Sequence, residues 1–347
     1  MSAGRRIASL DGLRAVSIAL VLFAHLGGTS GFPVSLESAR VDMGALGVRV
    51  FFVISGFLIT TLLRSELERE GTISLRGFYW RRSVRILPPF FLYFAVVLIL
   101  DSREVIELPP SDVLHAATYT MNYHWPRGWY LGHLWSLSIE EQFYLVWPLV
   151  MRLGQATARK LALCCFLLAP LWRVGLAIAR PDLRATLGEN ATDALAIGCL
   201  LCLFREDLWK WNRYRQLISS RALVWLLPLV IWSPFLTQRW SHGIYWGAGM
   251  SLQNLAIMVA IDATTRNPGT LAGRALNSPG PVTIGLWSYS LYLWQQLFLN
   301  RAGSALVQAF PLNLACAVAC AWASYRYVER PALQLRSRLP AVARGSP

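Results

Sequence analysis

Residues Gly47–Leu63 read GVRVFFVISGFLITTLL, with Arg49 as the sole charge. Such a run approaches the roughly 20 apolar residues that carry a helix across a bilayer. Comparable runs recur on both sides of it, with ends loose by several residues. They are Leu10–Gly28, Val84–Leu100, Leu134–Met151, Leu161–Ala179, Thr186–Phe204, Leu223–Thr237, Ile244–Ile261, Val282–Leu299 and Ala305–Tyr325. The seventh run in chain order is short and carries Pro228 and Pro234, which membrane helices accept when neighbours satisfy the freed carbonyls. The expected fold is therefore all-α: a polytopic integral membrane protein with about ten transmembrane helices.

Composition agrees. Of 347 residues, 55% are hydrophobic and 15% charged, against roughly 25% charged in soluble globular proteins. No polar block is large enough for a soluble domain, so residues 1–330 read as one membrane domain and 331–347 as a short basic cytoplasmic tail. Disorder, a coiled coil and a secreted disulfide scaffold are excluded. The first 28 residues mimic a secretory signal, but Arg14 and His25 interrupt the run and no small-residue cleavage site follows.

The net charge of +14 does not point to nucleic acid, because the basic residues sit in short clusters between apolar runs. With the N-terminus in the cytoplasm, 23 of the 33 basic residues fall on the cytoplasmic side. Among them are Arg5, Arg6, Arg205, Arg221, Arg266, Arg336, Arg338 and Arg344. This asymmetry places both termini inside. Only Lys160 and Lys210 are lysines. All six cysteines lie in apolar runs and read as small buried hydrophobes. Cys199 and Cys202 have metal-like spacing, but neither a His nor a second pair accompanies them, so no metal site is expected.

Two segments between runs have character of their own. Ile73–Arg85 mixes aromatics with four arginines and reads as an interfacial cytoplasmic element. The loop Asp101–His133 holds Tyr123, Trp125, Trp129, Tyr130 and three histidines. It suits either a sugar-binding vestibule or an aromatic belt at the interface.

Ionisable side chains inside spans are costly, so each is a functional candidate. Arg14 and His25 stand 11 residues apart, which on a helix is about 16 Å of rise and close to three turns. Both therefore share one face, and the pair could line a channel, with imidazole as a general base near neutral pH. A snorkelling arginine and a histidine bonded to a neighbouring carbonyl fit equally. Arg82 and Arg85 share a helical face before Pro88 and Pro89 and could grip a phosphate, although cytoplasmic arginine clusters are common in membrane proteins. Glu140 and Glu141 are adjacent in one span, so at least one must meet a buried partner, an arginine being the natural choice. Asp193 and Glu189 enter the sixth span one turn apart, Asp193 as a structural counter-ion, and Glu329 follows the last span. Asn190-Ala-Thr192 matches a glycosylation sequon and carries little weight.

Taken in order, these residues resemble the membrane-bound acyltransferase-3 family. The resemblance rests on Ser9-Leu-Asp11-Gly-Leu-Arg14 with His25 beyond it, Gly47–Ile59 with Ser55, and Arg81-Arg82-Ser-Val-Arg85-Ile-Leu-Pro88. Trp135–Tyr144, Ser288-Tyr289-Ser-Leu-Tyr292-Leu-Trp294 and Tyr327-Val-Glu329-Arg-Pro331 continue it. It covers nearly the whole chain.

The resemblance implies a ten-helix membrane domain that moves an acyl group, usually acetyl from acetyl-CoA, onto a carbohydrate or glycolipid, in a bacterial inner membrane. It makes His25 the catalytic base, with Arg14 and Glu329 as further catalytic candidates and Arg82 and Arg85 binding the donor. Asp11, Ser55, Glu140, Glu141, Asp193, Tyr289 and Tyr292 are supporting candidates. Acyl-CoA enters as a co-substrate, and no permanently bound cofactor is expected. One departure stands out: Gln295 and Gln296 occupy the place where a histidine often follows the Ser-Tyr-x-x-Tyr-Leu segment. The chain stops near Pro347, so the fused SGNH hydrolase-like domain of some members is not expected; transfer would finish in the membrane domain or on a separate partner. Direct attack and an acyl-histidine intermediate both remain open. A proton-coupled transporter or glycan flippase using His25, Glu140 and Glu141 is the rival reading. Intact Arg14, His25, Arg82 and Arg85 argue against an inactive scaffold.

Overall fold

The computed structural model describes residues 7–34, 42–179, 192–220, 223, 228, 230–232 and 245–335. Most of the seventh expected span, including Pro234, lies outside them, as do Arg5, Arg6, Arg221, Arg336, Arg338, Arg344, Glu189 and Asn190. Among the described residues the chain is all helical, with no strand. The principal helices are α1 (Ala8–Leu26), α2 (Met43–Glu70), α3 (Leu75–Ser102), α4 (Pro110–Ala117), α5 (Leu134–Arg152) and α6 (Gln155–Ala179). They continue with α7 (Thr192–Lys210), α8 (Asn212–Ser219), α9 (Met250–Arg266), α10 (Leu271–Leu276), α11 (Pro279–Phe298) and α12 (Leu312–Ser324). Three of these, α1, α2 and α3, combine the length and apolarity needed to cross a membrane.

The chain forms two compact units. The first comprises Met1–Gly27, Val34–Ser65 and Leu153–Ser288; the second comprises Gly28–Pro33, Glu66–Arg152 and Tyr289–Pro347. Two of the boundaries fall inside helices, at Ser65/Glu66 of α2 and Ser288/Tyr289 of α11.

In the first unit, close packing is bought by glycine. Gly56 of α2 lies against the Leu195 carbonyl of α7, and Gly198 of α7 lies against the Val53 carbonyl of α2. A methyl group at either position would overlap the facing backbone, so small residues set the approach of the two helices. The start of α1 is held the same way, with Gly12 against the Leu276 carbonyl and Gly285 of α11 against the Asp11 carbonyl. The Ser17 hydroxyl donates to the Gly47 carbonyl of α2. Along α1, Asp11, Arg14, Ile18, Val21 and His25 follow one another at steps of three and four, which is one helical face. Ile18 and Val21 in the middle of that stripe are buried, while Val16 on the other side is exposed.

In the second unit, Glu66 stitches the turn between α2 and α3. One of its oxygens accepts the Ser74 N–H at 2.8 Å and the other accepts Arg81 Nη2 at 2.8 Å. Ser74 then caps α3 by accepting the Gly77 N–H at 3.2 Å. Most of the segment Ile73–Arg85, expected as an interfacial element, forms the first turns of α3, which runs on without a break through Pro88 and Pro89. The expected tenth span begins later than Ala305. Leu306–Gln308 is a short 3₁₀ turn, and α12 starts at Leu312, immediately after Pro311, whose fixed φ suits a helix start. Helical backbone then continues past Ser324 through a π turn, Tyr325–Glu329, into Arg330–Gln334. Glu329 thus sits within helical backbone rather than beyond the last helix.

Candidate functional site

The sequence-derived candidates divide between the two units. Asp11, Arg14, His25, Ser55 and Asp193 belong to the first. Arg14 lies one turn from Asp11, with Nη1 3.5 Å from Oδ1, and both side chains are largely buried. The ion pair therefore forms locally, between i and i+3 of one helix. His25 occupies the last turn of α1, half-buried, at the far end of the stripe that Arg14 begins. Ser55 is buried on α2, one residue before the glycine that meets α7.

Asp193 is fully buried and bound on one oxygen. Its Oδ2 accepts Arg173 Nη1 at 2.9 Å and the Ser251 hydroxyl at 2.8 Å. Arg173 also donates Nη2 to Ser251 Oγ at 2.8 Å and to the Gly247 carbonyl at 3.2 Å. Gly247 lies in a π turn, Tyr245–Gly249, that leads into α9. Arg173, Asp193 and Ser251 thus close a buried triangle tying α6, α7 and α9 together. Arg173, in the last third of α6, is 2% exposed, and Asp193 supplies the counter-charge that such burial demands.

Arg82, Arg85, Glu140, Glu141, Tyr289, Tyr292 and Glu329 belong to the second unit, and here several candidates meet. The Arg82 guanidinium lies over the Tyr144 ring of α5, 4.5 Å from its centroid, and 6.0 Å from that of Phe78. Glu140, Glu141 and Arg85 all lie close enough to act on its charge. Glu141 Oε1 is buried and accepts no hydrogen bond from the described residues. Tyr289 donates its hydroxyl to the Ile86 carbonyl at 2.9 Å, one residue past Arg85. The neighbouring Ser290 donates to Glu329 Oε2 at 3.0 Å, and Glu329 is 1% exposed. Tyr292 turns the other way, sharing a 2.6 Å hydrogen bond with Ser136 and donating to the His133 carbonyl at 2.8 Å. Gln296 Nε2 donates to the Trp129 carbonyl at 2.7 Å, and the Trp129 indole donates to the Gln296 carbonyl at 2.6 Å.

Some residues of these sites escaped sequence reading. Arg173 had a signal, being a lone charge inside an apolar run. Asp262 had a weaker one, just past the expected end of its span; it is fully buried and accepts Arg205 Nε at 2.7 Å, Arg266 Nε at 3.0 Å and the Tyr214 hydroxyl at 2.9 Å. Tyr119 had none. It lies in the loop after α4 with φ of 52°, a left-handed backbone, and its buried hydroxyl has no hydrogen-bond partner among the described residues. Burial first, then the nearby Glu141 charge, push its phenol well above the usual range, so the hydroxyl is protonated and has a proton to offer. Among the described residues no cluster of His, Cys, Asp and Glu is suited to a metal ion.

An acyltransferase domain model matches residues 7–326. The chain belongs to the acyltransferase-3 family. The O-acetyltransferase OatA of Staphylococcus aureus, in strains NCTC 8325 and COL, is 30% identical to it over 95% of this chain and 58% of the relative. A further S. aureus protein from strain COL, named as a candidate O-acetyltransferase, is 28% identical over 94% of this chain and 57% of its own length. The chain therefore spans less than two thirds of the length of these curated relatives. No solved structure matches it.

Proposed function

We propose that the chain is a multi-pass membrane O-acyltransferase that moves an acyl group, acetyl by preference, from acyl-CoA to a hydroxyl of a carbohydrate or glycolipid. Its setting is a bacterial inner membrane, with about ten spans and both termini in the cytoplasm. Family membership and the OatA likeness support acyl transfer to oxygen. The observation that carries the mechanism is the stripe on α1. Asp11 holds Arg14 at one end, and His25 stands at the other, with buried Ile18 and Val21 between them on that face.

In this reading the acyl-CoA phosphates meet Arg82 and Arg85, whose forked donors match phosphate oxygens. His25 takes the proton from the acceptor hydroxyl as its oxygen attacks the thioester carbonyl carbon. The C–S bond breaks, the ester forms, and the imidazolium returns its proton to the leaving thiolate, so CoA departs as free thiol. Such base assistance contributes roughly 10²–10⁴-fold. Arg14, about 16 Å away along the helix, holds the donor rather than the developing oxyanion.

The test is His25→Ala and His25→Gln in the full chain reconstituted into liposomes, supplied with labelled acetyl-CoA and envelope glycans. Transfer should fall at least a hundredfold while the variants stay folded. Undiminished transfer removes His25 from the mechanism. Glycan or proton flux without any acyl donor, in place of transfer, would favour the rival transporter.

A further inference from the structure

Along α3 of the second unit, Arg82, Ile86, Phe90 and Tyr93 follow one another at steps of three and four on the side that faces α5 and α11. Arg82 comes first, beside Tyr144 and within reach of the Glu141 charge. One turn on, the Ile86 carbonyl takes the Tyr289 hydroxyl at 2.9 Å. Next is Phe90, whose ring packs at 4.9 Å from that of Tyr119. Tyr93 follows, 5.7 Å edge-on from the Trp294 ring. From Arg82 to Phe90 is eight residues, or about 12 Å of helix rise.

Three buried atoms on side chains beside this face have no hydrogen-bond partner among the described residues: Glu141 Oε1, Tyr119 Oη and Trp294 Nε1. A buried polar atom left alone costs free energy comparable to a lost hydrogen bond, so three beside one helix face are groups that a polar ligand would satisfy. The row is also built to stay in place. Gln142, next to Glu141, donates to the Tyr119 carbonyl at 2.9 Å and to Asn122 Oδ1 at 2.9 Å. It thereby pins Tyr119 in the left-handed backbone that a side-chain-bearing residue rarely adopts. Glu141, Tyr289 and Tyr119 sit within one another's electrostatic reach.

We infer that this row is the binding track for the pantetheine arm of the acyl donor, an extended chain with two amides, running inward from phosphates held at Arg82. Glu141 accepts an amide N–H, while the Tyr119 hydroxyl and the Trp294 indole donate to amide carbonyls. The inference rests on the acyl-CoA reading above and adds to it the residues that select an amide-bearing arm.

Binding of three probes to the reconstituted full chain separates the parts. Acetonyl-CoA is the thioether analogue of acetyl-CoA, acetonyl-pantetheine lacks its nucleotide, and adenosine 3′,5′-bisphosphate lacks the arm. Tyr119→Phe and Glu141→Gln should each weaken both arm-bearing probes roughly three- to tenfold and leave the bisphosphate unchanged. Arg82→Ala should weaken the bisphosphate and acetonyl-CoA but spare acetonyl-pantetheine. Tyr119→Phe removes a single oxygen, so a misfolded Glu141→Gln protein would not hide the answer. Normal affinity for both arm-bearing probes in Tyr119→Phe, with Trp294→Phe equally silent, overturns the track while acyl-CoA donation stands; the three orphaned atoms would then be wetted by water alone. If the wild type binds none of the three probes, the acyl-CoA reading falls as well.

Discussion

Arg82 sits with its guanidinium 4.5 Å above the ring of Tyr144, one helix packed on the next. An aromatic face attracts a cation while leaving its N–H fork free to bond. Tyr144 thus positions Arg82 without using up the donors that a phosphate would need. It also answers where an arginine beside Glu140 and Glu141 comes from: α3 brings it to α5.

Replacing Arg82 by Lys keeps the charge but loses the planar fork. The Michaelis constant for acetyl-CoA should rise about tenfold, since each lost charge-assisted hydrogen bond is worth roughly 1.5–3 kcal/mol. Steady-state kinetics on liposomes checks this, and an unaltered Michaelis constant removes Arg82 from donor binding.

The Arg173–Asp193 pair is fully buried. Asp193→Ala strands the guanidinium, which costs about 3–5 kcal/mol when a buried pair loses one partner. The double change Arg173→Met with Asp193→Leu should recover most of that loss. Thermal unfolding in nanodiscs reads both; equal melting temperatures for the single and double variants would contradict the uncompensated-charge argument.

Glycine substitutions should split by location. Gly198→Ala drives a methyl into the Val53 carbonyl and should destabilise by about 1–3 kcal/mol through overpacking. Gly175→Ala in α6 meets nothing within 4 Å and should stabilise by up to about 1 kcal/mol through helix propensity. The same assay decides, because opposite signs are expected from the same chemical change.

Tyr214, outside the spans on α8, donates to Asp262. Burial, followed by the Asp262 charge and hydrogen bond, pushes its phenol above the ordinary value of 10.0. A folded-state value above the unfolded one means that the folded protein holds the proton longer. Its contribution is complete below about pH 10 and disappears as pH rises beyond it. Melting temperature against pH should therefore fall more steeply above pH 10 in the wild type than in Tyr214→Phe, whose neutral-pH stability should be lower by about 1 kcal/mol. Parallel curves would show that Tyr214 does not carry the effect.

Much of this protein could be read along the chain, because its solvent leaves little choice. A backbone in hydrocarbon must satisfy its own hydrogen bonds, so the run at Gly47–Leu63 had to become helix, and α2 contains it. The shared face of Arg14 and His25 also needed no coordinates, since it follows from 3.6 residues per turn. Helix ends were less legible: Pro311 and the π turn at Tyr325–Glu329 moved the last helix at both ends and enclosed Glu329 in it.

What depended on packing was partnership. Arg173 and Asp193 are 20 residues apart, Tyr214 and Asp262 are 48 apart, and Arg82 reaches Tyr144 from another helix. Local periodicity tells which way a side chain points but not what waits across the gap, because that is set by how closely helices approach. Here the approach is decided by glycines such as Gly56 and Gly198 meeting carbonyls. Tyr119 is the extreme case: a loop residue with no pattern of its own, made a candidate only because Gln142 of α5 holds its backbone and Phe90 of α3 holds its ring.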